Sequence, residues 1–116
     1  DPHFTKRASP LSFAGPHRTT PPGIRLEDLP EIDVILISHN HYDHLDKGSI
    51  KGILKSQKKQ PMIFTPLIIN KLLEKWGAKN IKGMNFMNTI KPISEGLFEI
   101  FVSNHNMIAK SKNLSV

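Results

Sequence analysis

Three of the chain's six histidines fall within six consecutive residues, His39-Asn40-His41-Tyr42-Asp43-His44, and an aspartate lies among them. Imidazole nitrogens and a carboxylate oxygen are the donors that suit zinc and related borderline divalent metals. One histidine at a polar turn is ordinarily a solvated side chain. Three with an aspartate in so short a stretch read as a ligand cluster. Four donors around an ion with one position left open suit hydrolytic chemistry. A second ion fits if further donors arrive from elsewhere.

The spacing limits how these groups can meet. On a strand, His39 and His41 project to the same side, roughly 6.6 Å apart along the chain. Asp43 and His44 are adjacent, so a strand sends them to opposite sides, and they converge only if the backbone turns there. A continuous helix puts His41 and His44 on one face and points His39 away. A strand that ends in a turn is the economical arrangement. The residues just before it support this, since Val34-Ile35-Leu36-Ile37 is the most apolar run in the chain. An unbroken apolar run predicts a strand from Asp33 to Ser38 covered on both faces, as in a layered α/β fold.

The surrounding sequence predicts the elements that hold this strand. Asp46 is placed as the N-cap of a helix over Lys47–Ser56, with Ile50, Ile53 and Leu54 as its apolar stripe. Met62-Ile63-Phe64 reads as a short strand. Thr65-Pro66 reads as the N-cap and first position of a second helix running to Trp76. Its buried face is Ile69, Leu72, Leu73 and Trp76, and Gly77 ends it. Asn80–Met84 and Leu97–Ser103 read as further strands, the second delivering Asn104-His105-Asn106 at its end. Residues 1–30 hold six of the nine prolines and read as an arm of short extended pieces with a turn near Glu27–Pro30. His3 and His17 read as packing or surface histidines of that arm.

Composition sets outer bounds. The chain has 116 residues and mean hydropathy of -0.30, which fits one globular domain. Cysteine is absent, so disulfides and thiolate ligands are excluded, in keeping with a cytoplasmic setting. The chain carries no initiator methionine and no apolar leader, which reads as a fragment or processed product without a signal peptide. Residues 1–46 hold 4 Lys/Arg and 7 Asp/Glu, net −3, whereas residues 47–116 hold 12 Lys and 3 Glu, net +9. A lysine-rich half suits peripheral contact with an anionic membrane surface, or is simply a solvated face. No nucleic-acid motif accompanies it, and nucleic acid is not expected as a partner. The sequence leaves oligomeric state open.

The string His-x-His-x-Asp-His after an apolar strand is the signature of the metallo-β-lactamase superfamily. From Leu29 to Asp46 the chain closely resembles the branch of N-acyl phosphatidylethanolamine-hydrolysing phospholipases D. Asp1-Pro2, Arg7-Ala8-Ser9-Pro10 and Ala14-Gly15-Pro16 resemble it too, and the likeness runs from Asp1 to about His105. The resemblance implies an αββα four-layer sandwich, of which residues 1–116 form the N-terminal, partial domain. It implies two zinc ions, one held by His39, His41 and His105, the other by Asp43 and His44. Asp43 is also the implied catalytic residue, and the implied substrate is a phospholipid or related phosphodiester. Two departures stand out. Lys82–Asn88 lacks the tryptophans common in this branch, and Val116 precedes the bridging aspartate and last metal histidine of the family. The expectation is that this stretch alone completes only one metal site and does not hydrolyse phospholipid. The rival readings are another hydrolase of the same fold (a lactonase or nuclease), an inactive metal-binding fragment, and a basic module that binds anionic partners.

Overall fold

A computed structural model describes residues 1–84 and the backbone of Thr89–Ile90, Phe98–Ser103 and Asn106–Ser111. Within residues 1–84 the chain alternates strand and helix. These elements are β1 (Val34–Leu36), α1 (Lys47–Ser56), β2 (Met62–Pro66), α2 (Asn70–Lys75) and β3 (Ile81–Met84). The three strands form one parallel sheet in the order β1-β2-β3, with Leu36 opposite Phe64 and Thr65 opposite Gly83. Parallel neighbours cannot be joined by a hairpin, so each pair needs a crossover, and α1 and α2 supply the two. A second, antiparallel sheet has the order β4-β5-β6, with β4 at Thr89–Ile90, β5 at Phe98–Ser103 and β6 at Asn106–Ser111.

The period-two alternation of the strands decides what each face of the parallel sheet does. Ile35, Ile37 and Ile63 point to one face and pack with Ile50 and Ile53 of α1 and Leu73 of α2. Leu36, Met62, Phe64 and Met84 point to the other and form a separate apolar cluster. Both crossovers therefore cover the same face. This agrees with the layered arrangement that the apolar run predicts, except that Val34 at the start of β1 is 37% exposed.

The helix α1 has the predicted bounds. Asp46 caps it, accepting hydrogen bonds from the amides of Gly48 at 3.2 Å and Ser49 at 3.0 Å. Asp46 also accepts from the Ser49 hydroxyl, whose oxygen takes the Phe4 amide at 2.6 Å. The cap thus ties the N-terminal arm to the helix that follows the histidine loop. Replacing Asp46 by Ala is expected to cost about 2 kcal/mol, the upper end for a lost cap, because the buried Ser49 hydroxyl loses its partner as well. A denaturant midpoint that does not move would contradict this.

Two boundaries differ from expectation. Thr65-Pro66 does not begin a helix. Both residues lie in β2, paired with Gly83 and Met84, and a 3-10 turn at Leu67–Ile69 precedes α2. The ladder claims Thr65, whose buried hydroxyl caps nothing and has no hydrogen-bond partner among the described residues. The shorter helix leaves Leu72 39% exposed, while Ile69 and Leu73 are buried as predicted. Gly77 ends it with φ of +102°, the left-handed conformation that favours glycine. The strand predicted over Asp33–Ser38 is also shorter, covering Val34–Leu36. The arm contains an Arg7–His17 antiparallel bridge and a 3-10 turn at Leu26–Asp28, and His3 packs against Arg18. No pattern in the sequence marks β4 or β6.

Candidate functional site

The histidine loop begins where the sheet releases the chain. The Ile37 amide still donates to Phe64 O at 2.9 Å, continuing the β1–β2 ladder by one bond. The next amide, that of Ser38, faces away from β2, to the open edge of β1, and donates there to Asp1 Oδ1 at 2.6 Å. Beyond Ser38 the backbone leaves the sheet. At the other end His41 O accepts from the amides of His44 at 3.0 Å and Leu45 at 2.7 Å, closing a turn. Buried Leu45 and Asp46 then fasten the turn to α1.

This corrects the strand geometry expected for His39 and His41. Neither lies on a strand, and their side chains are not spaced along one. Their rings meet edge-on, with centroids 4.6 Å apart, and His39 Nε2 stands 3.1 Å from His41 Nδ1. The turn also brings His44 alongside, its ring centroid 4.0 Å from that of His39. His44 Nε2 lies 3.4 Å from Asp43 Oδ2. The four predicted residues of the loop are therefore gathered into one cluster. His105, the fifth predicted ligand, lies outside the described residues.

One carboxylate that the spacing argument missed organises this cluster. Asp1 Oδ2 accepts from the Ser38 hydroxyl at 2.6 Å and from His44 Nδ1 at 3.0 Å. Ser38 Oγ, its proton committed to Asp1, lies 2.8 Å from His39 Nδ1 and accepts a hydrogen bond from it. Asp1 thereby fixes two tautomers, that of His44 directly and that of His39 through Ser38. In both neutral rings Nε2 is left with the free lone pair. Burial holds the pKa of His39 below the usual imidazole value. His44 and His41 lower it further, against an opposing pull from Asp43. Asp1 is separated from the loop by 37 residues, and no local pattern links the two. Its only signal is the Asp1-Pro2 string in the family resemblance.

A tetrahedral zinc ion sets a metric for these donors. Ligand distances of 2.0–2.1 Å place two nitrogens about 3.3 Å apart. The His39–His41 pair at 3.1 Å and the Asp43–His44 pair at 3.4 Å both stand near that edge length. In type and in pairwise spacing these residues fit the metal. Among the described residues, no group of three is arranged to hold an ion as it stands. A cavity of about 690 Å³ adjoins the cluster, lined by Ala8 and Pro16 of the arm and by Asn40, His41, Tyr42 and Asp43 of the loop.

Residues 1–112 match the family described as the beta-lactamase superfamily domain. The chain belongs to the metallo-β-lactamase superfamily. Within that superfamily it falls in the branch of N-acyl phosphatidylethanolamine-hydrolysing phospholipase D-like proteins. It is 40% identical over 108 residues to N-acyl-phosphatidylethanolamine-hydrolyzing phospholipase D 1 of Caenorhabditis elegans, covering 93% of this chain and 29% of that protein. It is 38% identical over 78 residues to an uncharacterized protein of Mycobacterium tuberculosis, covering 67% of this chain and 20% of the other. The Saccharomyces cerevisiae protein named as the mitochondrial N-acyl-phosphatidylethanolamine-hydrolyzing phospholipase D is 31% identical over 77 residues, covering 66% of this chain and 16% of that protein. The chain thus spans less than a third of each of these relatives.

Asp1 gives the superfamily's histidine loop here an orienting carboxylate whose loss has a defined consequence. Asp1→Asn keeps the size but offers Ser38 and His44 a weaker, mixed acceptor. Metal affinity is expected to fall about 10–100-fold, the usual effect of removing such a partner. Competition with a chromophoric chelator measures this. Affinity equal to wild type would mean that His39 and His44 need no orientation from Asp1.

Proposed function

We propose that the protein is a zinc-dependent hydrolase acting on a phosphodiester, of the N-acyl phosphatidylethanolamine phospholipase D type. The observation that carries this is the loop cluster, two donor pairs near tetrahedral spacing with the tautomers of His39 and His44 set by Asp1, in a chain so similar to a phospholipase of that name. In this reading His39 and His41, joined by His105, hold one zinc, and Asp43 and His44 contribute to a second. The domain is the N-terminal part of an αββα sandwich, in which residues 1–30 form an arm beside the site.

Bound zinc lowers the pKa of water toward about 7, supplies hydroxide at neutral pH and neutralises charge on a phosphoryl oxygen. The chain's own groups do the rest. Asp1 and Ser38 hold the Nδ1 protons of His44 and His39, keeping both Nε2 atoms available. Asp43, its side chain 62% exposed beside the cavity, accepts a hydrogen bond from the attacking water and aims it at phosphorus. Attack forms a P–O bond to water, whose proton passes to Asp43, and breaks the P–O bond to the alcohol, which leaves as its oxygen takes a proton from solvent. The arm residues Ala8 and Pro16 share the cavity with the loop and would help keep the headgroup over it.

Among the described residues no helix is long and apolar enough to cross a membrane. We place the protein in the cytoplasm with peripheral access to lipid. Product analysis on N-acyl phosphatidylethanolamine, an acyl lactone and RNA tests the reading with the zinc-loaded full-length protein. Release of phosphatidic acid from the first substrate is expected. Turnover confined to the lactone or the RNA would assign another hydrolase of the same superfamily.

A further inference from the structure

The arm carries a loop beside the cavity that the proposed chemistry does not use. The Ala8 amide donates to Pro16 O at 3.1 Å and the Arg18 amide to Lys6 O at 2.8 Å, so residues 6–8 and 16–18 run side by side. Between them Ser9–Gly15 forms a closed loop. Ser9 Oγ accepts the Leu11 amide at 3.1 Å, and Arg7 Nη1 donates to Gly15 O at 2.7 Å. Gly15 has φ of +97°, and a side chain there would strike Ser9 at 2.6 Å. The loop is therefore held in shape by its own bonds, yet it presents its two largest apolar side chains to water. Phe13 is 78% exposed and Leu11 48%.

Position and charge say what this loop meets. Ala8 and Pro16, the residues that close it, line the same cavity as His41 and Asp43. The loop thus adjoins the cleft, which Tyr42, 54% exposed, also lines. From Thr5 to Thr20 the chain has Lys6, Arg7 and Arg18 and no carboxylate. An apolar tip above a cationic base matches the section of a phospholipid surface, where acyl chains lie beneath a layer of phosphates. Two side chains on one short loop are too small a surface for a stable protein interface, which buries on the order of 800 Å² per partner.

We propose that Ser9–Gly15 anchors the protein to a phospholipid surface. Leu11 and Phe13 enter the acyl boundary, Lys6 meets lipid phosphates with Arg7 and Arg18 behind it, and the cleft opens at headgroup level. That placement of the cleft rests on the phosphodiester-lipid reading. The binding itself is measured without hydrolysis.

The test uses the full-length protein and its Leu11→Ser/Phe13→Ser double variant, sedimented with vesicles of phosphatidylcholine and phosphatidylserine. Partition onto vesicles is expected to fall at least about tenfold, with an unchanged thermal melt because both side chains are exposed. KM for vesicle lipid should rise while kcat on a water-soluble phosphodiester stays the same. In a Phe13→Trp variant the emission of the introduced indole should shift to the blue on vesicles and be quenched by brominated acyl chains. Equal partition of the double variant and wild type would overturn the proposal, as would indole emission that vesicles leave unchanged. If no phosphodiester is cleaved by the wild type yet partition falls as expected, the enzymatic reading fails and the anchor stands.

Discussion

On the proposed reading, His41→Ala is expected to remove about one equivalent of bound zinc per chain and to abolish phosphodiester hydrolysis. His41 holds a central place in the cluster. Its Nδ1 is 3.1 Å from His39 Nε2, and its carbonyl closes the turn that brings His44 alongside. The backbone bond survives the substitution and the imidazole does not, so the loop keeps its shape while one donor pair is broken. Affinity should fall by more than the roughly 10–100-fold typical of losing an orienting partner. The imidazole is exposed, so stability of the metal-free protein should change by no more than about 0.5 kcal/mol. Elemental analysis of wild type and variant decides the matter, and equal zinc content would remove His41 from the ligand set.

Acid should release the metal for the same reason, since only neutral imidazole ligates. The direction at His39 can be stated. Its pKa lies below the ordinary value of about 6.5, first through burial and then through its two histidine neighbours. His39 therefore stays neutral as pH falls through 6.5 and takes up its second proton only below that. At this group the folded chain binds protons less readily than the unfolded chain. The stability linked to it is therefore fully present above about pH 6.5, and is lost as pH falls from there through the folded value. A zinc titration that weakens only on the alkaline side would contradict this sign.

If Asp43 acts as proposed, Asp43→Asn is expected to lower kcat by roughly 10²–10⁴-fold, the range for a positioned group that handles a reacting proton. It leaves the fold almost intact. The side chain is 62% exposed, lines the cavity and lies 3.4 Å from His44 Nε2, and it is not part of either apolar cluster among the described residues. Any effect on stability should stay within about 0.5 kcal/mol. A thermal melt and a phosphodiesterase assay on the same preparation separate the two effects. A lowered melting temperature with normal specific activity in the surviving protein would make Asp43 a structural residue.

The parts of the molecule legible in the sequence were those fixed by local patterns. Asp46 with Ile50 and Ile53 marked α1 to the residue, because a cap and a 3.6-residue stripe are both local signals. The apolar run at Val34–Ile37 marked β1, and the ligand types marked the loop after it. The parts that escaped depend on distant residues. Thr65-Pro66 has the chemistry of a helix start, but pairing with Gly83 and Met84 of β3 draws it into the sheet. His39 and His41 looked like strand residues because the apolar run does not show where β1 stops, whereas the chain leaves the sheet after Ser38, its amide held on the open edge of β1 by Asp1 across 37 residues of chain. The same remoteness hid Asp1 as the group that orients His39 and His44.

The most direct test of the central claim is the fate of isotopic oxygen. The zinc-loaded full-length protein is incubated with N-acyl phosphatidylethanolamine vesicles in water enriched in the heavy oxygen isotope, and the phospholipid product is examined by phosphorus NMR. Attack of water on phosphorus predicts phosphatidic acid carrying the label on its phosphate, with formation stopped by a chelator and restored by zinc. Unlabelled phosphatidic acid, or release that continues undiminished after chelation, would contradict a zinc-dependent hydrolysis at phosphorus.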